Sequence, residues 1–322
     1  MLGYMSVAGL TTTIRGSIHA VPGDVDLVVG IPRSGMIPAY LIGLFMNRLV
    51  VDLETFLANG PAGHGMTRRP GYEVRAPLDA RHVLLVDDSA SSGESMRASV
   101  ERVRAVYAGR LTTCVAIGRP GRPCSDIVFT ELPLPRLFEW NAFHHPEVEN
   151  ACFDLDGVLC VDPVEADNDD GERYEQFLMA ARPLFRPTRP LGHIVSARLE
   201  RYRGLTEAWL AQQGVQYGKL HLVDLPTHAE RRRLGVHASH KARVYRETRA
   251  FLFYESEPRQ AAEIAELAGK PVLCTADMIL HLPGRTNLRA AGAMLKWQVK
   301  PALARLRGRL RQAVPLAPPH RG

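Results

Sequence analysis

Short apolar runs alternate with helix-like stretches along the first 120 or so residues. The apolar runs are 26–30, 49–53, 82–86 and 112–117, and helical spacing is found at 37–47 and 95–107. This alternation predicts a parallel sheet covered by helices. In such α/β sheets ligands bind at the carboxyl ends of the strands, so candidate chemistry is expected there.

The pattern is broken by a proline-rich polar stretch at 118–135 and then begins again. The later apolar runs are 151–153, 193–195, 250–253 and 271–274, with helical spacing at 205–213 and 259–267. We expect the chain to leave the first domain within the proline-rich stretch. The sequence thus predicts two α/β domains, each a doubly wound parallel sheet. Their expected bounds are 1–145 and 146–284, followed by a tail at 285–322.

Composition is that of a folded globular chain, with 46% hydrophobic and 23% charged residues. Apolar runs stay shorter than the roughly 18 residues that span a bilayer, and the first residues do not resemble a secretory signal. We therefore predict a cytoplasmic protein without a membrane span. Five cysteines form no CxxC pair, which favours reduced core thiols over disulfides or a zinc site.

The net charge of +6 comes from the tail. From His281 onwards there are nine Lys or Arg and no acid, which leaves 31 bases against 34 acids before it. Leucines in the tail recur at helical spacing, which predicts a basic amphipathic helix. Docking on its own domain is the favoured role, and contact with an anionic membrane or with nucleic acid is the alternative.

The segment from His82 to Met96 is a hydrophobic strand, two acids, a loop of small residues and the start of a helix. The N–H groups and hydroxyls of such a loop suit a phosphate at the positive end of the helix dipole. The carboxylates of Asp87 and Asp88 suit ribose hydroxyls, directly or through hydrated Mg²⁺. A sugar-phosphate pocket is predicted. The alternative is a capped helix whose acids and serines serve only the turn.

This segment resembles the phosphoribosyl diphosphate (PRPP) signature of the type I phosphoribosyltransferases. The resemblance implies that Asp87 and Asp88 hold the 2′- and 3′-hydroxyls of the ribose. It also implies a 5′-phosphate loop formed by Ser89, Ala90, Ser91, Ser92, Gly93, Glu94 and Ser95. Purine-salvage members carry a base-protonating acid three positions after the second motif acid. Ser91 stands there, which argues against hypoxanthine or guanine as substrate.

Residues 29–38 have the place and form of the diphosphate loop of that family. Arg33 is expected to donate charge-assisted hydrogen bonds to the leaving diphosphate, with help from the N–H groups of Ser34 and Gly35. A simple turn with a solvent-facing Arg is the alternative. The family's mobile loop corresponds to 55–77, where we expect Arg68 or Arg69 to reach the diphosphate and closure to exclude water. A disordered surface loop is the other interpretation.

A second pair of acids follows the run at 151–153. Asp154 and Asp156 stand two residues apart in a turn that contains Gly157. This spacing lets Asp154 attack phosphorus while Asp156 protonates the leaving oxygen and then activates water, with Mg²⁺ holding nucleophile and phosphate together. A strand that ends in an Asx–Gly turn is the alternative.

This segment resembles motif I of the haloacid dehalogenase-like (HAD) phosphatases. The resemblance implies that Ser196, at a strand end, is the motif II donor to the phosphate. Lys241 is the better candidate for the motif III lysine, because Lys219 lies farther from the next strand. The implied catalytic set is thus Asp154, Asp156, Ser196 and Lys241.

Motif IV departs from the family pattern. The family usually carries aspartates there, whereas this chain offers Glu255 and Glu257. We expect Glu255 to complete a Mg²⁺ site with Asp154 and Asp156, although hydrolysis is less securely predicted than the HAD-like Rossmannoid fold. Only 39 residues separate Asp156 from Ser196, too few for a large cap.

Aromatic residues cluster near the predicted domain junction. Trp140 or Phe143 could stack on a nucleobase, but packing between the domains is the favoured role. His144 and His145 show no convincing ligand spacing.

The two resemblances together predict a bifunctional enzyme of nucleotide metabolism. The first domain would transfer phosphoribosyl from PRPP to a nitrogenous base with release of diphosphate. The second would hydrolyse a phosphate monoester of the nucleotide or a related metabolite with Mg²⁺, and a homodimer is left open. One alternative is a regulatory protein that senses PRPP or nucleotides and contacts nucleic acid through its tail. Another is a phosphatase whose transferase domain is inactive.

Overall fold

The structure is a computed structural model that describes residues 2–63, 74–167 and 170–284. It divides into two compact units, Met1–Asn141 and Ala142–Gly322. The tail predicted at 285–322 lies outside the described residues. Within the described ranges, no helix is both long and apolar enough to cross a membrane.

The first unit has seven strands among its described residues. They are β1 (Gly3–Met5), β2 (Leu27–Gly30), β3 (Leu49–Asp52), β4 (His82–Ser89), β5 (Arg110–Gly118), β6 (Ile127–Glu131) and β7 (Arg136–Phe138). β1 and β7 form a small parallel pair. The other five form one parallel sheet in the order β3-β2-β4-β5-β6.

Helices cover both faces of this sheet. They are α1 (Val7–Ser17), α2 (Met36–Met46), α3 (Leu53–Leu57) and α4 (Glu94–Val106). Side chains alternate across a strand, so Val29 packs with Phe56 and Val103 on one face, while Val28 packs with Ile42 on the other. The fully apolar strands are thus explained by burial from two sides, and the predicted α/β fold with a parallel sheet is confirmed for this unit.

The expectation that the chain leaves the first domain within 118–135 was wrong. Ile127–Glu131 is β6, which pairs with β5 and completes the sheet. The prolines of this stretch lie on either side of the strand, so they do not remove any of its hydrogen-bond donors.

The loop predicted at 55–77 begins later than expected, because its first residues belong to helix α3, which ends at Leu57. Asp52 accepts a hydrogen bond from the Thr55 N–H at 3.0 Å and caps the start of α3.

The second unit contains a six-stranded sheet. Its strands are β8 (Ala151–Phe153), β9 (Leu191–Leu199), β10 (Tyr217–Val223), β11 (Leu252–Glu255), β12 (Val272–Cys274) and β13 (Ile279–His281). Their order is β10-β9-β8-β11-β12-β13. The helices are α5 (Glu172–Ala180), α6 (Arg203–Gln212), α7 (His228–Leu234), α8 (His237–Glu247) and α9 (Pro258–Ala268).

The sheet of the second unit is mixed rather than wholly parallel as predicted. β13 runs antiparallel to β12, because the four residues between the two strands make a turn and return the chain. Short β13 is half-exposed and lies at the sheet edge, so it carries only a weak apolar signal in the sequence. The remaining strands are parallel, as expected for an α/β unit.

Candidate functional site

The topology of the first sheet defines a crevice at the carboxyl ends of β2 and β4. From β2 the chain moves to β3 on one side of the sheet, and from β4 it moves to β5 and β6 on the other side. Ligands of open α/β sheets bind where the direction of winding reverses in this way. The segment 31–35 follows β2, and Asp87 and Asp88 lie near the end of β4, so two predicted motifs lie at this crevice.

The loop after β2 contacts Asp87 directly. The Ile31 N–H donates to the Val86 carbonyl at 2.9 Å. A Cβ atom added to Gly35 would lie 2.4 Å from the Ile31 carbonyl oxygen and 3.0 Å from Asp87 Oδ1, so only glycine fits at this position. Arg33 is exposed in the same loop, and the Pro32–Arg33 peptide bond is cis. The structure therefore brings Gly35, and with it the loop that carries Arg33 and Ser34, next to the paired acids.

Asp87 and Asp88 are both buried, with 7% and 6% of their surfaces exposed. Asp87 accepts hydrogen bonds from the Asp88 N–H at 2.9 Å and the Ser95 hydroxyl at 3.3 Å. Burial, together with the neighbouring charge of Asp88, raises the pKa of Asp87 to about 7. One of the two carboxylates is therefore poised between its neutral and charged forms near neutral pH.

The loop between β4 and α4 keeps the shape expected of an anion cradle. Gly93 has a φ of 80°, in the left-handed region, and offers no side-chain cap to α4. The Glu94 N–H donates to the Ser92 hydroxyl at 3.3 Å. The N–H groups of Ser95 and Met96 have no acceptor within the helix and can bind an external anion. Ser91, Ser92 and Ser95 are exposed around them, whereas Ala90 is buried and its N–H donates to the Ile117 carbonyl.

Two residues that were not assigned to the PRPP motifs also reach this site. The Trp140 indole N–H donates to Asp88 Oδ2 at 3.0 Å, and its ring stacks on Phe138 at 4.8 Å. Arg136 is buried and donates to the Ser91 hydroxyl at 3.1 Å. The sequence predicts base stacking or domain packing for Trp140 and gives no indication of a bond to Asp88. Its 52-residue separation from Asp88 leaves no local signal of the contact.

A second crevice lies at the carboxyl ends of β8 and β11 in the other unit. The chain winds from β8 to β9 and β10 on one side, and from β11 to β12 on the other. Asp154 directly follows β8, Glu255 ends β11, and Ser196 lies on the neighbouring β9. All three are buried.

Lys241 of α8 bridges the two carboxylates. Its Nζ lies 2.7 Å from Asp154 Oδ2 and 2.7 Å from Glu255 Oε2, with only 2% of the residue exposed. Burial lowers the pKa of Lys241, but the two carboxylates outweigh this effect and raise it above its usual value. Burial raises the pKa of Asp154, and so does Glu255, despite the attraction of Lys241. Asp154 is therefore more readily protonated than a free aspartate, even beside the Lys241 ammonium.

The other candidates for motifs III and IV lie elsewhere. Lys219 is exposed on β10. Glu257 caps α9 by accepting hydrogen bonds from the N–H groups of Arg259 and Gln260. Among these alternatives, the structure therefore brings Lys241 and Glu255 to Asp154.

Asp156 is held by a residue that had no predicted role. The guanidinium of Arg198 is fully buried, and its Nη2 donates to Asp156 Oδ1 at 2.6 Å while its Nε contacts both oxygens. Such charge-assisted pairs are strong and fix geometry. The Asp156 carboxylate is oriented towards Arg198, so proton transfer by Asp156 would require that it exchange this partner for substrate or water.

A cavity of about 140 Å³ opens beside these residues, lined by Asp154, Ser196 and Lys241 among others. Arg231 of α7 also lines it, is 7% exposed, and has a buried Nε without a hydrogen-bond partner in the described structure. A buried guanidinium donor that lacks a partner is costly unless a ligand supplies an acceptor. The cavity can accordingly receive an anionic oxygen.

The three carboxylates predicted to bind Mg²⁺ differ in their availability. Asp154 lines the cavity and can supply a hard oxygen ligand to a divalent cation. Both oxygens of Glu255 already accept hydrogen bonds, Oε2 from Lys241 and Oε1 from the N–H groups of Ser256 and Glu257. Asp156 is paired with Arg198. Among the described residues, a compact group of three His, Cys, Asp or Glu ligand atoms lies instead at Cys274, Asp277 and His281.

The predicted residues Arg68 and Arg69 lie outside the described residues. Phe143 stacks on Phe185 within the second unit, with ring centroids 4.1 Å apart. The roles proposed for Trp140 and Phe143 in base stacking or domain packing stay predictions.

Comparisons with known proteins bear on the first unit. Residues 2–147 match the family model described as the phosphoribosyl transferase domain. No curated protein matches the chain.

Three solved structures are each similar to part of the chain. A purine phosphoribosyltransferase from Pyrococcus horikoshii is 17% identical over 43% of this chain and 92% of its own, with a TM-score of 0.31. A xanthine-guanine-hypoxanthine phosphoribosyltransferase from Helicobacter pylori is 14% identical over 44% and 92%, with a TM-score of 0.33. A hypoxanthine phosphoribosyltransferase from Staphylococcus aureus is 14% identical over 40% and 76%, with a TM-score of 0.27.

The family match supports a phosphoribosyl transferase domain at residues 2–147.

Proposed function

We propose that the chain is a phosphoribosyltransferase that binds PRPP at the crevice between β2 and β4 and transfers its phosphoribosyl group to a nitrogenous base. The observation that carries this proposal is the contact between the two loops, in which Gly35 packs against Asp87. The crevice thereby combines the loop that carries Arg33, two carboxylates that can accept hydrogen bonds from ribose hydroxyls, and a helix N-terminus. These are the groups that a sugar bearing two phosphate-type anions requires.

Each part of the pocket has a distinct task in this proposal. The N–H groups at the start of α4 and the hydroxyls of the loop hold the 5′-phosphate, and Asp87 and Asp88 accept hydrogen bonds from the ribose. Arg33 stabilises the negative charge that develops on the departing diphosphate. When bound with PRPP, Mg²⁺ neutralises diphosphate charge and helps it leave.

The base would lie on the side of the pocket formed by Trp140. The indole is fixed by its hydrogen bond to Asp88 and by stacking on Phe138, so its position relative to the ribose is defined. Ser91 is tied to Arg136 instead of supplying an acid to the base. This arrangement supports an acceptor that needs no protonation by the residue at position 91.

Binding of Mg²⁺ and PRPP should expel a proton from Asp87. Its pKa is raised to about 7, so the carboxyl is protonated below that pH and charged above it. Ribose hydroxyls bind the charged form, so PRPP affinity should fall by about tenfold per pH unit below about pH 7. Titration calorimetry in buffers of different ionisation enthalpy measures both the affinity and the protons released.

The Asp87→Asn variant is the matched control for this titration. PRPP carries its own titrating phosphate, and that contribution is common to both proteins. The variant should bind more weakly and lose the additional proton release. Equal proton release by the two proteins at every pH would show that Asp87 is not the titrating group.

A second function is favoured by the buried cluster of Asp154, Lys241 and Glu255 beside an anion-sized cavity. We propose that the second unit hydrolyses a phosphate monoester, with Asp154 as nucleophile. Ser196, Lys241 and Arg231 would bind the phosphate oxygens. A Mg²⁺ ion held by Asp154, and by Glu255 if it exchanged a hydrogen-bond donor for the ion, would supply further charge stabilisation. Arg198 orients Asp156, the proposed proton donor, until substrate arrives.

Asp154→Asn should reduce phosphate release from small phosphate monoesters by about 1,000-fold or more, because the amide cannot form the covalent intermediate. Asp224→Asn, which changes an exposed acid on the same unit, should leave the rate unchanged. Phosphate release over a panel of monoesters, including nucleoside monophosphates, measures the effect. The proposal fails if the wild-type chain releases no phosphate or if Asp154→Asn retains the wild-type rate. Coupling of this hydrolysis to the transferase reaction stays a prediction.

A further inference from the structure

The geometry points to a structural zinc site on the β12–β13 hairpin, formed by the Cys274 thiolate, an Asp277 carboxylate oxygen and a ring nitrogen of His281. One ligand atom from each residue lies within 4.8 Å of the other two. The site belongs to neither proposed reaction. It also revises the expectation from the sequence that the cysteines are ordinary core residues.

The hairpin itself produces the cluster. Val272 pairs with His281 and Cys274 pairs with Ile279, so Cys274 and His281 are diagonal neighbours on one face of the two strands. Asp277 lies in the turn that joins them. Its Oδ1 accepts a hydrogen bond from the Ile279 N–H at 3.1 Å, which orients the carboxylate. Antiparallel pairing thus joins ligands whose spacing, C-x₂-D-x₃-H, matches no common zinc motif.

Two polar atoms of the cluster lack partners in the described structure. His281 is 3% exposed, and its Nε2 is buried without a hydrogen bond. The second atom is Asp277 Oδ2, which is also buried and unpaired. Buried polar groups in native proteins are nearly always satisfied, and leaving one unsatisfied is costly. Two such atoms beside a thiol are explained together if all three bind one cation.

The chemistry of the donors selects the cation. A thiolate, an imidazole and a carboxylate suit zinc, which is borderline-soft and accepts sulfur, nitrogen and oxygen ligands in a tetrahedral site. Mg²⁺ prefers an octahedral shell of oxygen and would not choose this set. Zinc binding requires that the Cys274 thiol release its proton to solvent as the sulfur–zinc bond forms. The fourth ligand would be water or another group close to the hairpin.

The site would stabilise the loop that carries Glu255. The Thr275 N–H, next to Cys274, donates to the Glu255 carbonyl at 2.7 Å and joins the hairpin to the end of β11. The Cys274 thiol donates to the Ser256 carbonyl at 3.7 Å, a bond that a zinc-bound thiolate would give up. Zinc at the hairpin would therefore restrict the strand end that presents Glu255 to Lys241. Its role is structural, since none of its ligands lines the 140 Å³ cavity.

Cobalt substitution of the full chain tests the inference. In a Mg²⁺-saturated buffer, one Co²⁺ per chain should produce the intense thiolate-to-cobalt charge-transfer band and the visible bands of a tetrahedral centre. Equimolar Zn²⁺ should abolish both. Cys274→Ser should lose the charge-transfer band, whereas Cys114→Ser, which alters another buried free thiol, should retain it. Absence of the band in the wild-type protein, or its survival in Cys274→Ser, would overturn the inference.

Asp277→Asn supplies a test that does not require replacement of a fully buried residue, because Asp277 is only half-buried. Competition with a fluorescent zinc chelator should show at least a tenfold to 100-fold weaker affinity, the loss typical even of a residue that only supports a ligand. Zinc in large excess should raise the Tm of the wild-type protein by roughly 5 °C, and of this variant by much less. Equal zinc affinity in the two proteins would contradict the site.

Discussion

Replacing Lys241 with Met should lower the free energy of unfolding of the second unit by about 3–5 kcal/mol. The ammonium is bonded to Asp154 and Glu255 at 2.7 Å each, and all three residues are buried. Methionine keeps most of the volume but leaves two carboxylates together without a cation. Denaturation by urea, followed by circular dichroism, measures the loss.

Lys219→Met is the matched control, because Lys219 is exposed on β10 and should change stability by less than about 0.5 kcal/mol. Adding Asp154→Asn to Lys241→Met should recover part of the loss, since only one buried carboxylate then lacks a partner. If Lys241→Met is as stable as Lys219→Met, the buried cluster is not a major source of stability. Lys241 would then not be the residue that holds Asp154 and Glu255 together in the proposed second site.

Replacing Gly35 with Ala should reduce kcat/KM for diphosphate release by about 100-fold. The added methyl group would lie 2.4 Å from the Ile31 carbonyl oxygen and 3.0 Å from Asp87 Oδ1. One contact is backbone and the other is a proposed ribose acceptor. The loop must therefore shift, and Arg33 and Asp87 lose their relative position. Steady-state rates at several PRPP concentrations measure the change.

Gly23→Ala provides the control, because a Cβ atom at Gly23 would meet nothing within 4 Å. Its rate should equal that of the wild-type protein. A Gly35→Ala variant that folds normally and retains full activity would show that contact between the two loops is not required for turnover.

The elements that the sequence predicts well are those with a strong apolar period. The apolar part of β4 and helix α4 were expected within a few residues of their bounds, because burial on two faces makes β4 continuously apolar and leaves α4 amphipathic. β6 was missed since prolines surround it, and β13 because it is a short edge strand. Local pattern carries little information about such edge elements.

The residues of the candidate sites show the same difference between local and long-range signals. Asp87 and Asp154 could be proposed from the sequence because each directly follows, or ends, an apolar strand within a recognisable motif. Arg198 could not be given a role, since its contact with Asp156 spans 42 residues and depends on the packing of neighbouring strands. Trp140 is similar, as its bond to Asp88 depends on how the chain returns after β7. Partners that are distant in the sequence are set by tertiary structure rather than by spacing.

Base-dependent release of diphosphate from PRPP by the full chain tests the central claim most directly. With Mg²⁺ and a panel of purine, pyrimidine and related bases, at least one base should give diphosphate and the corresponding nucleotide in equal amounts. Asp88→Ala should abolish that release, because it removes a ribose acceptor and the partner of Trp140. If no base produces diphosphate, or if Asp88→Ala releases it at the wild-type rate, the assignment of a PRPP-dependent transferase is contradicted.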